Sequence, residues 1–302
     1  MSSKMEYVRL GNSGLKVSRL IQGCMAFGSP AWEGSPWTLG VDEGLRLLKK
    51  AYDLGINTWD TAGTYSNGAS EATVGKALRQ FAIPRSRVVP AANDGALVNQ
   101  MGLSRKHVFK AVDDSLARLG TDYIDVLQIH RLDRETPPEE IMEALHDVVR
   151  SGKVRYLGAS SMYAWEFARL QHVADKNGWT KFVSMQPFYN LLYREEEREM
   201  LPFCAATGLA RPNRKGDGGG GAAPTLREQT DVKSRRWNET ANPAIVDRVE
   251  ELAKKKGVSM AVLATATEER IEEAVQALSV KLTEEELRYL EEEYKPREVQ
   301  GM

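Results

Sequence analysis

The sequence has few cysteines and no excess of either charge. Cys24 and Cys204 are the two cysteines among 302 residues, and they lie far apart in the chain. A disulfide framework or a cysteine zinc site is therefore not expected, which suits a reducing cytoplasm. The 41 basic residues nearly balance the 42 acidic ones, leaving a net charge of −1. This balance gives no electrostatic attraction toward nucleic acid or anionic lipid, so neither partner is expected.

Long apolar runs are also lacking. No stretch approaches the roughly 20 apolar residues of a transmembrane helix, and residues 1–10 carry charge without the apolar region of a signal peptide. We therefore expect a cytoplasmic protein with no membrane contact. Hydrophobic residues make up 42% of the chain, enough for the core of one domain spanning residues 1–302. The sequence does not indicate an oligomeric state.

Strand-like and helix-like segments alternate through the first two thirds of the chain. Strands are expected at 17–23, 56–60, 123–129, 154–159 and 182–186, and helices at 42–54, 70–78 (capped by Ser70), 105–119, 137–149, 164–177 and 195–206. This order implies parallel strands joined by crossover helices. With so many units, a (β/α)8 TIM barrel is the leading α/β fold. A doubly wound sheet is the alternative, and it is weaker because no Gly-x-Gly-x-x-Gly follows the first strand.

The alternation stops in the last third of the chain. Residues 208–242 hold a glycine run at 216–221 and no apolar run long enough for a strand, so we expect a flexible, insert-like segment. Helices are expected again at 244–256, 268–278 and 283–294, with a brief strand at 262–265. Thr283, followed three residues later by Glu286, indicates a capping box at the start of the last helix.

Chemically useful side chains follow two of the expected strands. Asp60 ends one strand and Tyr65 follows it closely, while His130 ends another. A carboxylate, a phenol and an imidazole can together protonate a carbonyl oxygen while a hydride arrives at its carbon. Taken singly, Asp60 is more simply a strand-end cap and Tyr65 a loop aromatic. The combination with His130 favours the functional interpretation.

Several short motifs occur in a fixed order along the chain. They are Arg-Leu-Gly-Asn-Ser-Gly-Leu at 9–15, Gly-Ile-Asn-Thr-Trp-Asp-Thr-Ala at 55–62, Tyr-Ser-Asn-Gly-Ala-Ser-Glu at 65–71, Gln-Ile-His-Arg at 128–131, Gly-Lys-Val-Arg-Tyr-Leu-Gly-Ala-Ser-Ser at 152–161, and the stretch 186–198. Together, at this spacing, they resemble the aldo-keto reductases, specifically the fungal aryl-alcohol-dehydrogenase-like branch. The resemblance covers most of the chain.

The resemblance implies a (β/α)8 barrel that binds NADPH at the carboxyl end of its strands. It implies reduction of an aldehyde or ketone, here an aromatic or other bulky carbonyl compound, to an alcohol. By resemblance Tyr65 is the acid, and His130 orients the carbonyl. Asp60 would pair with a lysine at the end of strand three, and that cation would favour the charged form of the tyrosine.

The resemblance also implies binding residues for the cofactor NADP(H) and for the substrate. Ser160, Ser161 and Gln186 would hold the nicotinamide amide, Arg270 and Glu273 the adenine-ribose phosphate end, and Cys24 and Met25 would line the substrate pocket. The simpler interpretations are strand-end polarity, a solvated helix face and core packing, respectively. This chain departs from the family pattern at Ser161, where asparagine is usual, and at 264–267, where a glycine is usual.

The lysine expected on strand three is absent from the sequence, because no lysine occurs between Lys76 and Lys106. Asn93 falls opposite Asp60 by counting, but its neighbours resemble the loop after the strand, so we favour a deletion that truncates strand three. Similar gaps near 207–212 and 260–262 predict that strand seven is missing. The alternative function is therefore a catalytically inactive relative that binds nucleotide or a protein partner. The glutamates at 195–199 are expected to be a solvated helix start.

Overall fold

The computed structural model describes residues 5–92, 101–210, 242–257 and 267–299. Its strands are β1 (Tyr7–Arg9), β2 (Lys16–Ser18), β3 (Ile21–Gly23), β4 (Phe27–Gly28), β5 (Leu39–Gly40), β6 (Thr58–Asp60), β7 (Val89–Ala92), β8 (Ile124–Ile129), β9 (Val154–Ser160) and β10 (Phe182–Gln186). Its helices are α1 (Val41–Asp53), α2 (Ala69–Gln80), α3 (Arg105–Leu119), α4 (Pro138–Arg150), α5 (Ala164–Asn177), α6 (Met200–Thr207), α7 (Pro243–Lys256), α8 (Glu268–Ala277) and α9 (Glu284–Glu291).

Six parallel strands form the central sheet, in the order β3-β6-β7-β8-β9-β10. Each strand therefore lies beside the strand that follows it within the sheet, with a helix between each consecutive pair. A doubly wound sheet would reverse its strand order at a switch point, and the described sheet has no such reversal. The α/β class with a parallel sheet is confirmed, and the doubly wound alternative is wrong.

The sheet extends by one further position beyond β10. The Ala210 amide donates to the Val183 carbonyl at 3.0 Å, and the Met185 amide donates to the Ala210 carbonyl at 2.9 Å. Within the described ranges no pairing joins β3 to this end, so a closed barrel is not seen there. Helix α8 nevertheless packs beside α1, where Lys50 and Glu272 form an ion pair. A late helix is thus adjacent to the first one, as in a ring of helices.

Strand β7 is short and contains a proline. It pairs with β6 through Val89, Pro90 and Ala91, and with β8 through Ala91 and Ala92. Pro90 has no amide proton and so cannot donate to the ladder. The register places Ala91 opposite Asp60, which corrects the count along the sequence that placed Asn93 there. Residues 93–100 lie outside the described part. The truncation of strand three and the loss of strand seven therefore stay predictions, as does the brief strand at 262–265.

The core fills the space between the sheet and its helices. Trp59 of β6, Phe167 of α5 and Phe182 of β10 are buried almost completely, and Phe167 packs against Phe182 with ring centroids 5.6 Å apart. Fully burying a large apolar side chain contributes about 1.5–3 kcal/mol. These side chains fix the strands whose carboxyl ends carry Asp60, His130 and Gln186. No helix in the described residues combines the length and apolar character needed to cross a bilayer.

Several expected elements differ in detail from the structure. The strand expected at 17–23 divides into β2 and β3, which belong to different sheets. Ser70 is not a cap: it lies inside α2, is fully buried, and its Oγ donates to the Cys24 carbonyl at 2.8 Å. The capping box at Thr283 is confirmed, since Thr283 and Glu286 each accept the other's backbone amide proton. Most of the expected segment 208–242 lies outside the described residues.

The glutamates at 195–199 are not simply a solvated helix start. They begin with a 3-10 turn, Glu195–Glu197, and both Glu195 and Glu196 are buried. The Tyr294 hydroxyl donates to Glu195 Oε1 at 2.5 Å, and the Arg297 amide donates to the same oxygen at 2.7 Å. Contacts from the C-terminal end of the described chain therefore cover this turn, which sequence spacing alone does not reveal.

Replacing a core leucine on α4 tests the packing. Leu145 is 1% exposed, so Leu145→Ala should lower the free energy of unfolding by about 2–5 kcal/mol through lost transfer energy and a residual cavity. Chemical denaturation measures the change. Glu143→Ala on the exposed face of the same helix is the matched control, expected within about 0.5 kcal/mol of the parent. Equal effects of the two substitutions would contradict the packing described for α4.

Candidate active site

The carboxyl ends of β6 and β8 bring Asp60, Tyr65 and His130 to the same edge of the sheet. Asp60 is the last residue of β6, and His130 directly follows β8. Tyr65 begins a 3-10 turn, Tyr65–Gly68, between β6 and α2. The Tyr65 hydroxyl and His130 Nε2 are 3.3 Å apart, and their rings meet edge to face with centroids 5.8 Å apart. A phenol and an imidazole in contact form a unit that can donate a proton to a bound oxygen.

The turn that carries Tyr65 is held in an uncommon backbone conformation. Ser66 and Asn67 have φ values of 51° and 53°, in the left-handed region that costs about 1 kcal/mol or more for such residues. The Ser29 amide donates to Ser66 Oγ at 2.8 Å. A Cβ on Gly28 would stand 2.4 Å from the Ser66 Cβ, so only glycine fits there. The contacts of Gly28 and Ser29 with this turn are site features that the sequence reasoning missed.

Asp60 is bound by an amide on one side only. Its Oδ2 accepts a hydrogen bond from Gln186 Nε2 at 3.3 Å, and Gln128 Nε2 in turn donates to Gln186 Oε1 at 2.8 Å. Its Oδ1 is buried and has no hydrogen-bond partner in the described part of the chain. Burial raises the pKa of Asp60 to about 6, although the hydrogen bond from Gln186 acts in the opposite direction. The sequence predicted that Gln186 binds the cofactor, and it did not predict these hydrogen bonds from Gln128 to Gln186 and from Gln186 to Asp60.

The residues expected at the nicotinamide lie at this same edge. Ser160 ends β9, and its Oγ donates to the Gln186 carbonyl at 2.7 Å. Ser161 Oγ accepts from the Phe188 amide at 3.2 Å, and Gln186 itself ends β10 and remains exposed. Hydroxyls beside an exposed amide match the donors and acceptors of a carboxamide, so this set fits a nicotinamide. The structure brings these three residues together with Asp60.

Arg270 and Glu273 lie elsewhere, in the first turns of α8. Thr267 caps this helix, its Oγ1 accepting from the Arg270 amide at 3.4 Å. A helix N-terminus with a nearby arginine suits a phosphate, and both side chains are partly exposed. Among the described residues, no hydrogen bond links either of them to Ser160 or Gln186. Their expected role at the far end of the cofactor stays a prediction.

Cys24 and Met25 follow β3 and have different surroundings. Cys24 is completely buried in the core, and its amide donates to the Asp60 carbonyl at 2.8 Å. Burial, followed by the charge of Asp60, raises the pKa of the Cys24 thiol well above its ordinary value. This cysteine is therefore an unreactive packing group. Met25 keeps partial exposure and is the member of the pair with access to solvent.

Comparison with known proteins identifies the class. The profile of the Aldo/keto reductase family matches residues 19–266. The versiconal hemiacetal acetate reductase of Aspergillus parasiticus is 52% identical over 98% of both chains. A putative aryl-alcohol dehydrogenase of Schizosaccharomyces pombe is 48% identical over 98% of this chain and 97% of its own, and the aldo-keto reductase AFTS1 of Alternaria alternata is 46% identical over 99% and 94%.

The matched family and the reductases among these relatives identify the class as an oxidoreductase. The chain belongs to the aldo/keto reductase family. The family resemblance expected from the motifs is thereby confirmed, including its likeness to aryl-alcohol dehydrogenases.

The pKa of Asp60 predicts a pH-dependent stability. Because this pKa is about 6 in the folded chain and about 3.9 when unfolded, stability should fall as pH rises from about 4 to 6 and then stay level. Asp60→Asn removes the free-energy cost of ionising this carboxyl group in the folded chain. We expect it to raise the free energy of unfolding by up to about 3 kcal/mol at pH 8, with no gain at pH 4.

Urea denaturation at both pH values measures this difference. Asp53→Asn, which changes an exposed carboxylate on α1, is the control and should show no comparable pH dependence. A gain for Asp60→Asn that is the same at pH 4 and pH 8 would contradict the buried, unpaired state of the carboxylate.

Proposed function

We propose that the chain is an NADP(H)-dependent aldo-keto reductase that reduces an aromatic or other bulky aldehyde or ketone to the alcohol. The observation that carries this proposal is the 3.3 Å contact between Tyr65 Oη and His130 Nε2 at the carboxyl edge of the sheet. The relatives support the substrate class, since their names refer to a hemiacetal acetate reductase and to aryl-alcohol dehydrogenases.

In this proposal Tyr65 donates its hydroxyl proton to the substrate oxygen, and His130 holds that oxygen by a hydrogen bond. The nicotinamide cofactor supplies the hydride when bound. Ser160, Ser161 and Gln186 would hold its carboxamide, because their hydroxyl and amide groups match it. The phenolate left on Tyr65 recovers a proton from solvent. Asp60 lies at the same edge of the sheet, where it accepts a hydrogen bond from Gln186.

Arg270 and Glu273 would hold the adenine-ribose phosphate end of the same cofactor, and Met25, with Cys24 behind it, would line the substrate pocket. We also propose a single cytoplasmic domain spanning residues 1–302, built as a (β/α)8 barrel with strand three truncated and strand seven missing. The comparison with the Aspergillus relative runs over 348 positions, more than the 302 residues of this chain. Such an alignment contains positions without a residue of this chain, which supports internal deletions.

The second candidate is a relative that binds the nucleotide, or a protein partner, without turning over a carbonyl compound. One observation favours it: Asp60 Oδ1 has no partner among the described residues. A carboxylate without a cation would disfavour the phenolate of Tyr65 and so make Tyr65 a weaker proton donor. The two candidates share a binding site and differ in turnover.

Binding and turnover assays with the full chain separate these functions. Quenching of NADPH fluorescence together with loss of NADPH absorbance on adding an aromatic aldehyde supports the reductase. Tyr65→Phe should then lower kcat by about 10²- to 10⁴-fold, because general acid catalysis contributes about that much, while leaving NADPH binding intact. Tyr52→Phe on α1 is the matched control and should retain full turnover. Quenching without turnover supports the second candidate, and turnover that survives Tyr65→Phe contradicts the first.

A further inference from the structure

Proton donation by Tyr65 leaves a phenolate, and a phenolate near a buried carboxylate needs a nearby positive charge. The sequence contains no lysine between Lys76 and Lys106, and the described contacts of Asp60 are with amides. The positive charge that the described structure places at the site is Arg131, which directly follows His130 at the end of β8.

Arg131 is fixed at the site by neutral acceptors. Its Nη1 donates to the His130 carbonyl at 2.5 Å and lies 3.5 Å from Ser160 Oγ. These contacts span the carboxyl ends of β8 and β9, so they orient the guanidinium over the same edge that carries the Tyr65–His130 pair. A carbonyl and a hydroxyl do not neutralise a guanidinium. Its charge is therefore available to another group.

Two ionisable groups act on Arg131 through their charge. Partial burial lowers the pKa of Arg131, whereas the charges of Tyr65 and Glu196 raise it. The attraction between a guanidinium and a phenolate is mutual, so the interaction that favours charged Arg131 also favours charged Tyr65. Among the described residues, His130 and Asp60 also lie at this edge of the sheet.

Glu196 is the competing anion for Arg131. It is 4% exposed, and its Oε1 has no hydrogen-bond partner in the described part of the chain. Burial raises the pKa of Glu196 to about 7, although the charge of Arg131 lowers it. Below about pH 7 this carboxyl is largely protonated and leaves the charge of Arg131 uncompensated. At higher pH it ionises and opposes the phenolate.

We propose that Arg131 is the cation that stabilises the Tyr65 phenolate in this chain, held in place by the His130 carbonyl and Ser160 and opposed by Glu196. The inference rests on the proposed function, in which Tyr65 is the proton donor. It assigns to an arginine that follows strand β8 the electrostatic role that the family resemblance implies for a lysine on strand three. Arg131 acts through Tyr65 and is a positioning residue.

The titration of Tyr65 tests this directly and needs no turnover. Tyrosine labelled with ¹³C at Cζ gives a resonance that shifts on ionisation, and Tyr65→Phe identifies the one belonging to Tyr65. We expect Arg131→Met to move the Tyr65 titration midpoint upward by about one pH unit or more, as for loss of a nearby opposite charge. Arg131→Lys should restore most of the shift, and Glu196→Gln should move the midpoint downward.

Arg155→Met is the matched control, since Arg155 is exposed at the opposite end of β9 and lies over the Tyr123 ring at 4.4 Å. It should leave the Tyr65 midpoint unchanged, although the Tyr123 resonance is expected to shift because Arg155 covers that ring. A Tyr65 midpoint that is equal in the parent and in Arg131→Met overturns the inference. An Arg131→Lys variant that titrates like Arg131→Met also overturns it, because the charge would then not be the cause.

The parent's turnover is measured separately. A parent that binds NADPH but reduces no carbonyl compound contradicts the proposed reductase, whereas the titration shift still supports the pairing of Arg131 with Tyr65. A parent with turnover and no shift retains the proposed function and rejects the pairing. In an active parent, the limb of the reduction rate at high pH should move upward in Arg131→Met together with the Tyr65 midpoint.

Discussion

The contact between the Tyr65 hydroxyl and His130 Nε2 depends on a constraint of the fold: parallel strands end at the same edge of the sheet. β6 and β8 are separated by β7, yet the segments that follow these two strands bring a phenol and an imidazole within 3.3 Å of each other. The pairing register of β7 with β6 and with β8 sets this distance. The turn that contains Ser66 and Asn67, both with positive φ, orients the Tyr65 side chain. A shift of either strand would separate the pair and remove the proton-donating unit.

Two carboxyl groups of this region have raised pKa values, and their environments differ. Asp60 accepts a hydrogen bond from the Gln186 amide on one oxygen, while the charge of Arg131 lowers the pKa of Glu196 against the larger effect of burial. Burial raises the pKa of both groups toward neutrality, to about 6 and about 7. The charge at the site therefore changes within the physiological range of pH. An arginine keeps its own charge throughout that range, which makes it a suitable counter-ion for a phenolate.

Local patterns in the sequence predicted most of the fold. The bounds of α3, α5 and β10 agree with the expected segments, because apolar spacing and terminal glycines are local signals. Ser70 failed as a cap because its hydroxyl instead binds the distant Cys24 carbonyl. Glu196 was taken for a solvated residue because the burial of its turn comes from residues about one hundred positions later. Such contacts between distant segments leave no local pattern.

The site was predicted as a set of residues but not as a network. Motifs placed Asp60, Tyr65 and His130 together, yet they gave no indication that Gln186 would bind Asp60 or that Arg131 would lie over Ser160. The most direct measurement of the central claim is a crystal structure of the chain with NADP⁺ and an aromatic aldehyde analogue. The account predicts that the analogue's oxygen lies within about 2.6–3.2 Å of both Tyr65 Oη and His130 Nε2. An oxygen bound away from both groups, with the cofactor in place, would contradict it.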